Sequence, residues 1–441
     1  MMNRRNNKIL IIGAGITGLS AAYHLKGDYA LFEKNRFAGG TASSEKVDGF
    51  IFDKAGHLLH FKTSWVKNLV EKLISPVRLD KKRRRSWILS KGIYTRYPFQ
   101  VNTYKLPPAV IKDCLLEMAH AQVSDARNKK PADNLRDWIL ESLGSGVAKH
   151  FMFPYNRKLW KTPLSGVGID WVDKFIPKPR LDYAIRGAVS DFKRGFGYNR
   201  IFFYPSHGGI QVLSDAFCAG IKEKVFFNKE VKAIDISQRK VRFAAGETAY
   251  FDTLISTMPL PELIGLIDAA PPALKHAAGR LKFVSVLNLN LGIDRNSISD
   301  KHWIYFPERK YVFYRVGFFS NFSDNLCPNG ASSLYAEVSY TDDRPLKMDD
   351  TQVRERVIHD LRKAGILSGR DRVLSEKLCR IKYAYPIRGR NGLVKSIDDF
   401  LRARGIYSIG RYGGWKYMSM EECMLEAKMT ADNINNNRLG F

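Results

Sequence analysis

Cysteine is scarce in this 441-residue sequence, and its five cysteines are spread along the chain. They form neither a CxxC pair nor a cluster with histidine, which excludes the spacing of a zinc site and a disulfide framework. We therefore expect reduced cysteines, no bound metal and a cytoplasmic location. The sequence also lacks a continuous apolar run of 18 residues, so no transmembrane segment is predicted.

Acidic residues are also few, with 44 Asp and Glu against 71 Lys and Arg, and the formal net charge is +27. Such a chain is expected to attract anions. Its one dense basic block, residues 81–85, is predicted as a solvated loop. Because no zinc-finger, helix-turn-helix or RNA-binding motif accompanies the charge, we expect no specific nucleic-acid partner. A phosphate-bearing substrate fits better, and peripheral contact with an anionic membrane is left open.

A glycine-rich turn near the start is the clearest motif that the sequence does contain. The apolar run 8–12 leads into Gly13, Gly15 and Gly18, a helical pattern follows, and a second strand pattern ends at Glu33. Strand, GxGxxG turn, helix and distal acid are typical of a dinucleotide-binding βαβ unit. Gly13 permits the turn, Gly15 admits a pyrophosphate, and Gly18 allows close helix packing. Glu33 lies where an acid binds a ribose hydroxyl.

The segment after Glu33 favours a flavin over a nicotinamide cofactor. Arg36 and the pair Gly39-Gly40 resemble the extension with which the flavin amine-oxidase superfamily closes over the FAD pyrophosphate. We therefore predict bound FAD. The residues predicted to contact it, from the motif or from the family resemblance below, are Gly13, Gly15, Ile16, Thr17, Gly18, Glu33, Lys34, Arg36, Gly39, Gly40, Thr41, Gly56, His57, Val231, Thr257, Met258, Gly410, Arg411 and Met420.

The remaining patterns predict an α/β fold: a discontinuous Rossmann-like FAD-binding domain, a helical insertion and an antiparallel β-sheet substrate domain. The predicted boundaries are 1–75, 200–270 and 404–441 for the FAD domain, 105–199 for the helical domain, and 76–104 with 271–403 for the sheet domain. The helical domain is expected to contribute to substrate binding. Homo-oligomer formation through it is left open.

Six sequence blocks, in order along nearly the whole chain, resemble the UDP-galactopyranose mutase family. They are Gly56-His57, Tyr97–Asn102, Phe151–Trp160, Trp303–Pro307, Phe313–Arg315 with Ser320-Asn321, and Gly410–Tyr417. The resemblance implies an isomerase that interconverts pyranose and furanose forms of a nucleotide-diphosphate sugar, UDP-galactose or a close analogue. It also implies that N5 of reduced FAD attacks the anomeric carbon, and it allows NAD(P)H as an external reductant. No protein nucleophile is then required, which agrees with the absence of a Ser-His-Asp or Cys-His arrangement.

The same resemblance assigns site residues. Arg315, Tyr385 and Tyr417 match positions that hold the substrate diphosphate, and His57 matches the residue whose backbone lies near the flavin ring. These four are the predicted catalytic residues. The predicted substrate-binding residues are Asn156, Tyr155, Trp160, Trp303, Tyr305, Asn321, Phe99, Gln100 and Arg388.

Two segments depart from the family pattern. Where the eukaryotic family carries an arginine toward the active site, this chain has Phe175, with Lys174 and Arg180 nearby as substitutes. Farther along, the usual acidic sequence is replaced by one with Arg388 and Arg390, which predicts room for extra negative charge on the substrate. The sugar and the base are left open. The alternative function is that of an FAD-dependent oxidase or desaturase of the same superfamily. Such an enzyme would have the same FAD-binding segments but would not need the residues predicted to bind a diphosphate.

Overall fold

A computed structural model describes residues 9–123, 131–193, 195–197, 200–389 and 392–438. The strands, in chain order, are β1 (Ile9–Ile12), β2 (Tyr29–Phe32), β3 (Ser44–Val47), β4 (Phe50–Asp53), β5 (Leu79–Arg83), β6 (Ser86–Ser90), β7 (Ile93–Arg96), β8 (Ile201–Pro205), β9 (Val225–Phe226), β10 (Val231–Asp235), β11 (Lys240–Phe243), β12 (Thr248–Tyr250), β13 (Thr253–Ser256), β14 (Lys282–Ile293), β15 (Trp303–Tyr305), β16 (Arg315–Gly317), β17 (Ser332–Tyr340), β18 (Val373–Ile387) and β19 (Ile406–Ser408). The α-helices are α1 (Ile16–His24), α2 (Ser64–Ile74), α3 (Pro108–Val123), α4 (Leu135–Val147), α5 (Phe153–Trp160), α6 (Val172–Phe175), α7 (Leu181–Val189), α8 (Gln211–Gly220), α9 (Leu260–Leu266), α10 (Pro272–Gly279), α11 (Asp350–Lys363), α12 (Leu393–Arg402), α13 (Gly410–Gly413) and α14 (Met420–Arg438). None of the helices in these ranges is long and apolar enough to cross a membrane.

A five-stranded parallel sheet, ordered β19-β13-β1-β2-β9, forms the centre of the predicted FAD-binding domain. In β1, Ile9 and Ile11 face one hydrophobic core whereas Leu10 and Ile12 face another. The strand therefore needs apolar residues on both faces, which explains its uninterrupted apolar run. Strand β13 belongs to this sheet, whereas β10 lies in a separate antiparallel sheet with β11 and β12.

The predicted antiparallel sheet has seven strands, ordered β18-β14-β17-β16-β15-β6-β7, and only the β15–β6 pair is parallel. Its long strand β14, second from one edge of the sheet, is buried on both faces. Leu287, Leu289 and Leu291 pack on the same core as α11, whereas Val284 and Val286 pack toward the helical insertion. The sheet thus separates α11 from the interior of the molecule, and Val286 reaches the cavity described below.

The helical insertion depends on a close approach of α3 and α4. A Cβ at Gly144 would lie 2.3 Å from the carbonyl oxygen of Glu117, and one at Gly146 would lie 2.1 Å from that of Asp113. Gly144 also has a φ of +79°, which an L side chain rarely adopts. Both positions therefore require glycine, and the two helices form a compact support for the cavity wall.

The basic block 81–85 is not a loop, which corrects the sequence prediction. Residues 81–83 of the block lie in β5, which pairs antiparallel with β8. The Arg84 guanidinium donates to the Phe196 carbonyl oxygen at 2.9 Å and lies 4.7 Å from the ring centroid of Tyr97. Strand alternation exposes every second charged side chain of the block, so an extended segment accommodates five consecutive cations.

Asp53 joins three segments behind the cavity. Its carboxylate accepts hydrogen bonds from the Ser44 hydroxyl at 2.6 Å, the Tyr204 hydroxyl at 2.9 Å and the Ile210 amide at 3.3 Å. Its carbonyl oxygen accepts from the Asn290 side chain at 3.0 Å. Burial raises the pKa of Asp53 from 3.8 to about 7, although the hydrogen bonds oppose this rise.

This pKa predicts a measurable pH dependence. Between about pH 4 and about pH 7 the folded state holds a proton that the unfolded chain has lost. The stabilising contribution is therefore complete below about pH 4 and is lost as the pH rises through 7, a change on the order of 4 kcal/mol. Relative to Asp53→Asn, wild type should lose free energy of unfolding across this window in urea titrations. Parallel pH profiles of the two proteins would contradict the prediction.

Candidate active site

One continuous cavity of about 1100 Å³ connects the glycine-rich turn with the space between the helical insertion and the seven-stranded sheet. It brings together most of the residues singled out from the sequence. Those of the predicted cofactor set are Gly13, Gly15, Ile16, Thr17, Glu33, Lys34, Gly39, Gly40, Thr41, Gly56, His57, Val231, Thr257, Met258, Arg411 and Met420. Those of the predicted catalytic and substrate sets are Arg315, Tyr385, Tyr417, His57, Gln100, Tyr155, Asn156, Trp160, Trp303 and Tyr305.

The glycine-rich turn forms an open cradle at one end of this cavity. Gly13 has a φ of +99°, and a Cβ built at Gly15 would meet no heavy atom within 4 Å. Helix α1 begins after Gly15 with no side-chain cap and no acid in its first turn. The uncapped N–H groups and the positive end of the helix dipole suit an anionic diphosphate.

Glu33 lies at the end of β2, beside this cradle. Its buried carboxylate accepts from the Ala14 amide at 2.8 Å, the Asn35 amide at 2.9 Å and the Asn35 side chain at 2.6 Å. These bonds fix the carboxylate against the cavity, where it suits a ribose hydroxyl. The cradle fits the diphosphate of a dinucleotide such as FAD, and the acid fits its ribose.

Lys54 is a cavity residue that the sequence analysis missed. Its ammonium donates to the Gly40 carbonyl oxygen at 2.8 Å and lies 5.6 Å from the Phe37 ring centroid. No described carboxylate forms an ion pair with it, so it adds a positive charge to the cofactor end. The sequence signal was slight: one lysine directly after the apolar strand β4.

Three residues of the predicted cofactor set do not line the cavity. A Cβ at Gly18 would lie 1.9 Å from the Gly13 carbonyl oxygen, and one at Gly410 would lie 2.4 Å from the Thr17 hydroxyl, so both glycines serve close packing. The Arg36 side chain is exposed, with its guanidinium 6.0 Å from the Phe37 ring. Arg36 therefore lies outside the cavity lining, and its contact with the cofactor stays a prediction.

His57 lines the cavity where its loop crosses the sheet. Its Nδ1 lies 3.0 Å from the Ala55 carbonyl oxygen. Burial, together with the nearby charges of Arg411 and Arg315, lowers the pKa of His57 to about 4. The imidazole is therefore neutral near pH 7. The preceding Gly56 must be glycine, because a Cβ there would lie 2.1 Å from the hydroxyl oxygen of Tyr335.

Arg315 reaches the cavity as half of a cross-strand ion pair. It lies opposite Glu337 in the register of β16 and β17. Its Nε lies 2.6 Å from Oε2 of Glu337, and its Nη2 lies 2.7 Å from Oε1. The Glu337 side chain is only 2 % exposed. Glu337 is thus a second cavity residue missed from the sequence, and it compensates much of the Arg315 charge.

Arg411 carries a further guanidinium of the cavity, and its partners are not acids. Nη1 donates to the Met418 carbonyl oxygen at 2.8 Å, and Nη2 donates to that of Ala384 at 2.9 Å. The guanidinium stacks 4.5 Å from the Tyr417 ring and 5.4 Å from the Tyr385 ring. Since no described carboxylate pairs with it, Arg411 leaves a full positive charge for an anionic ligand.

Neutral phenols surround these two arginines. Burial raises the pKa of Tyr155, Tyr314 and Tyr385, so each remains protonated at neutral pH. The Tyr314 and Tyr385 hydroxyl oxygens lie 3.3 Å apart. The site therefore offers hydrogen-bond donors beside two guanidinium groups, a combination that binds phosphate oxygens.

Two predicted substrate-binding residues form hydrogen bonds within the protein. The Asn156 amide donates to the Met152 carbonyl oxygen at 2.8 Å, and its Oδ1 accepts from Trp160 Nε1 at 3.2 Å. Both side chains line the cavity. Their contribution to substrate binding stays a prediction.

Three predicted substrate residues lie away from the cavity. Phe99 is fully buried and stacks on Phe151, with 5.0 Å between the centroids. The Asn321 amide donates to backbone carbonyl oxygens of Ser299 and Lys301. Arg388 lies 3.6 Å from Asp170 in an ion pair outside the cavity. All three side chains thus contact other parts of the protein. Arg390 lies outside the described residues.

Comparison with known proteins identifies the family. Residues 16–435 match the family model described as flavin containing amine oxidoreductase. The chain belongs to this family. It is therefore a flavoenzyme with FAD as its cofactor, as the glycine-rich turn predicted.

Individual relatives refine this assignment. A solved structure of reduced UDP-galactopyranose mutase is 27% identical with a TM-score of 0.90, covering 97% of this chain and 94% of that chain. The resemblance to that family is thereby confirmed. A putrescine oxidase structure, at 15% identity and TM-score 0.66 over 97% of this chain and 99% of its own, shares the fold alone.

Curated relatives by sequence are desaturases. The 1-hydroxycarotenoid 3,4-desaturase of Flavobacterium sp. (strain P99-3) is 24% identical over 274 residues, 56% of this chain and 54% of that protein. The 4,4'-diapophytoene desaturase of Staphylococcus aureus (strain Newman) is 47% identical over 49 residues, 10% of each chain. The chain thus spans about half the length of the first and a tenth of the second.

Proposed function

We propose that the protein is a flavin-dependent mutase that interconverts the pyranose and furanose forms of a nucleotide-diphosphate sugar. The observation that carries this proposal is the continuous cavity, which joins the FAD cradle to Arg411, Arg315 and a set of neutral tyrosines. The likeness to a solved UDP-galactopyranose mutase supports the same function. Reduced FAD, when bound, supplies a nucleophilic flavin nitrogen for an exchange that has no net redox change.

The protein's own residues bind and hold the leaving diphosphate. Arg411 offers an uncompensated guanidinium, and Arg315 offers the N–H groups that Glu337 does not use. Tyr385 and Tyr417 add hydroxyl groups beside them. Because the departing nucleoside diphosphate must recombine with the same sugar, keeping it in place favours ring exchange over hydrolysis. Because His57 is neutral near pH 7, it does not act as a cationic proton donor in the cavity.

The alternative, oxidation or desaturation of an apolar substrate, fits these charges poorly. A hydrocarbon lying against Arg411 would remove water from a guanidinium that has no carboxylate partner in the part of the chain that the structure describes. Such a desolvated charge is costly unless it is paired. An anionic substrate supplies that pairing, so the cavity favours a diphosphate over a polyene.

One experiment separates the two functions. Protein reduced with dithionite and protein kept oxidised are each incubated anaerobically with UDP-galactose, and the products are analysed for the furanose form. We expect furanose product only from the reduced protein, with no net consumption of reductant. Equal turnover by the oxidised protein, or oxygen consumption coupled to substrate oxidation in air, would overturn the mutase proposal and favour the alternative.

A further inference from the structure

Among the described residues, four lysines line the cofactor end of the cavity, and one of them differs from the others. Lys229 and Lys232 each form an ion pair with a glutamate, at 2.6 and 2.9 Å. Lys34 is exposed to solvent. Lys54 is half-buried, and no described carboxylate forms an ion pair with its ammonium. Lys54 is therefore the lysine of this end whose charge is neither paired nor fully hydrated.

The Lys54 ammonium has hydrogen-bonding capacity that the protein does not use. It carries three N–H donors, and one of them donates to the Gly40 carbonyl oxygen at 2.8 Å. No other oxygen of the described residues accepts from it. Burial lowers the pKa of Lys54, because the loss of water disfavours the charged form. An anion in the cavity would accept the remaining N–H groups and offset this cost.

The contact with Gly40 places this ammonium beside the glycine-rich turn. The Gly39 amide donates to the Ala14 carbonyl oxygen at 2.8 Å. A Cβ built at Gly40 would lie 3.4 Å from Cα of Gly15. This pair of glycines therefore lies against the cradle in which a diphosphate fits, and Lys54 is hydrogen-bonded to the same pair.

We propose that the Lys54 ammonium binds the diphosphate of FAD. The uncapped N–H groups of α1 offer the diphosphate hydrogen bonds and a partial positive charge, whereas a protonated lysine supplies a full charge as well. The Arg36 side chain, by contrast, is exposed outside the cavity lining. Because FAD is the cofactor of the whole family, this role of Lys54 does not depend on whether the reaction is the mutase or the alternative one.

Retention of FAD by the purified holoenzyme tests this role. Serial dilution, followed by the fluorescence of the released flavin, gives the dissociation constant of FAD. Lys54→Gln still has a donor for the Gly40 carbonyl oxygen but has no charge. We expect its dissociation constant to be about tenfold higher than that of wild type. Lys54→Arg keeps the charge and should retain most of the affinity.

Lys46 provides the matched control. It lies in β3, which pairs with the strand that precedes Lys54, and it is exposed and outside the cavity. Lys46→Gln removes the same charge from the same hairpin, so it should retain FAD as tightly as wild type. A far-UV circular dichroism spectrum close to that of wild type establishes that each variant folds. If Lys54→Gln does not fold, Lys54→Met takes its place in the same measurements.

The reduction potential separates a contact with the diphosphate from a contact with the flavin ring. Reduction of FAD does not change the charge of its diphosphate, so Lys54→Gln should keep the wild-type potential. A contact with the ring that favoured one redox state tenfold would instead shift the two-electron potential by about 30 mV when it is lost. Such a shift in Lys54→Gln would contradict the proposed role.

Three results of the dilution experiment would also overturn it. The first is a Lys54→Gln protein that retains FAD as tightly as wild type. The second is a Lys54→Arg protein that retains FAD as weakly as Lys54→Gln, which would show that the charge is not what matters. The third is an equal loss in Lys46→Gln, which would attribute the effect to the net charge of the protein.

Discussion

Replacing Gly15 with valine is expected to abolish FAD binding while the protein still folds. The φ of Gly15 is −74°, which any residue adopts, and a Cβ there meets no heavy atom within 4 Å. The Cβ of the valine therefore meets no protein atom, and the side chain occupies the cradle in which the diphosphate fits. The FAD content after purification should fall from nearly stoichiometric to undetectable, with a near-native far-UV circular dichroism spectrum.

Other glycines provide the controls for this result. A Cβ at Gly369 would also meet no heavy atom within 4 Å, and Gly369 has no positive φ. Because Gly369 lies outside the cavity, Gly369→Val should keep full FAD content. Gly18→Ala should instead damage the fold, because its Cβ would lie 1.9 Å from the Gly13 carbonyl oxygen. A Gly15→Val protein with normal FAD would show that the cofactor does not lie against this turn.

The cofactor end could be predicted from the sequence because its chemistry and its local geometry depend on the same residues. A positive φ at Gly13 and an acid at the end of β2 follow from a short stretch of chain, residues 8–33. An antiparallel sheet was likewise predicted from the alternating pattern of apolar and polar residues. Burial of β14 on both faces was not visible, since it depends on α11 and the helical insertion, which are distant in sequence.

The substrate end could be predicted less well, because distant partners decide where polar groups point. Arg388 matched a substrate segment, yet Asp170 holds it outside the cavity. Asn156 lines the cavity as expected, but its side-chain amide forms hydrogen bonds with Met152 and Trp160. Nothing in the sequence pairs Arg315 with a residue 22 positions later, since strand register alone sets that contact. Contacts of this kind alter the charge and the hydrogen bonds that the site offers to a ligand, although the residues themselves are those that the sequence predicts.

The cross-strand pair makes Arg315→Ala the second variant with a large expected effect. Loss of a charged contact to the leaving diphosphate should lower kcat/KM by about 10²–10³-fold. The substitution also leaves the buried Glu337 carboxylate unpaired beside the anion, which should cost about 3–5 kcal/mol of unfolding free energy. FAD content should stay normal. Steady-state kinetics and urea unfolding measure the two losses separately.

A matched control isolates the second loss. Arg356 pairs with the fully buried Asp360 at 3.0 Å, and neither residue lines the cavity. Arg356→Ala also removes the arginine partner of a buried carboxylate, which keeps the Val312 amide at 2.7 Å as a donor. This variant should destabilise the protein but leave kcat/KM near the wild-type value. A comparable loss of turnover in this variant would attribute the Arg315→Ala effect to stability alone.

The double variant Arg315→Met/Glu337→Gln completes the argument, because it removes both charges of the pair together. Replacing a buried ion pair by uncharged groups of similar volume is often nearly neutral for stability. We therefore expect its unfolding free energy to return toward wild type while kcat/KM stays at the level of Arg315→Ala. Recovery of turnover together with stability would show that Arg315 is structural, and it would leave Arg411, which has no acidic partner among the described residues, as the cation that binds the diphosphate.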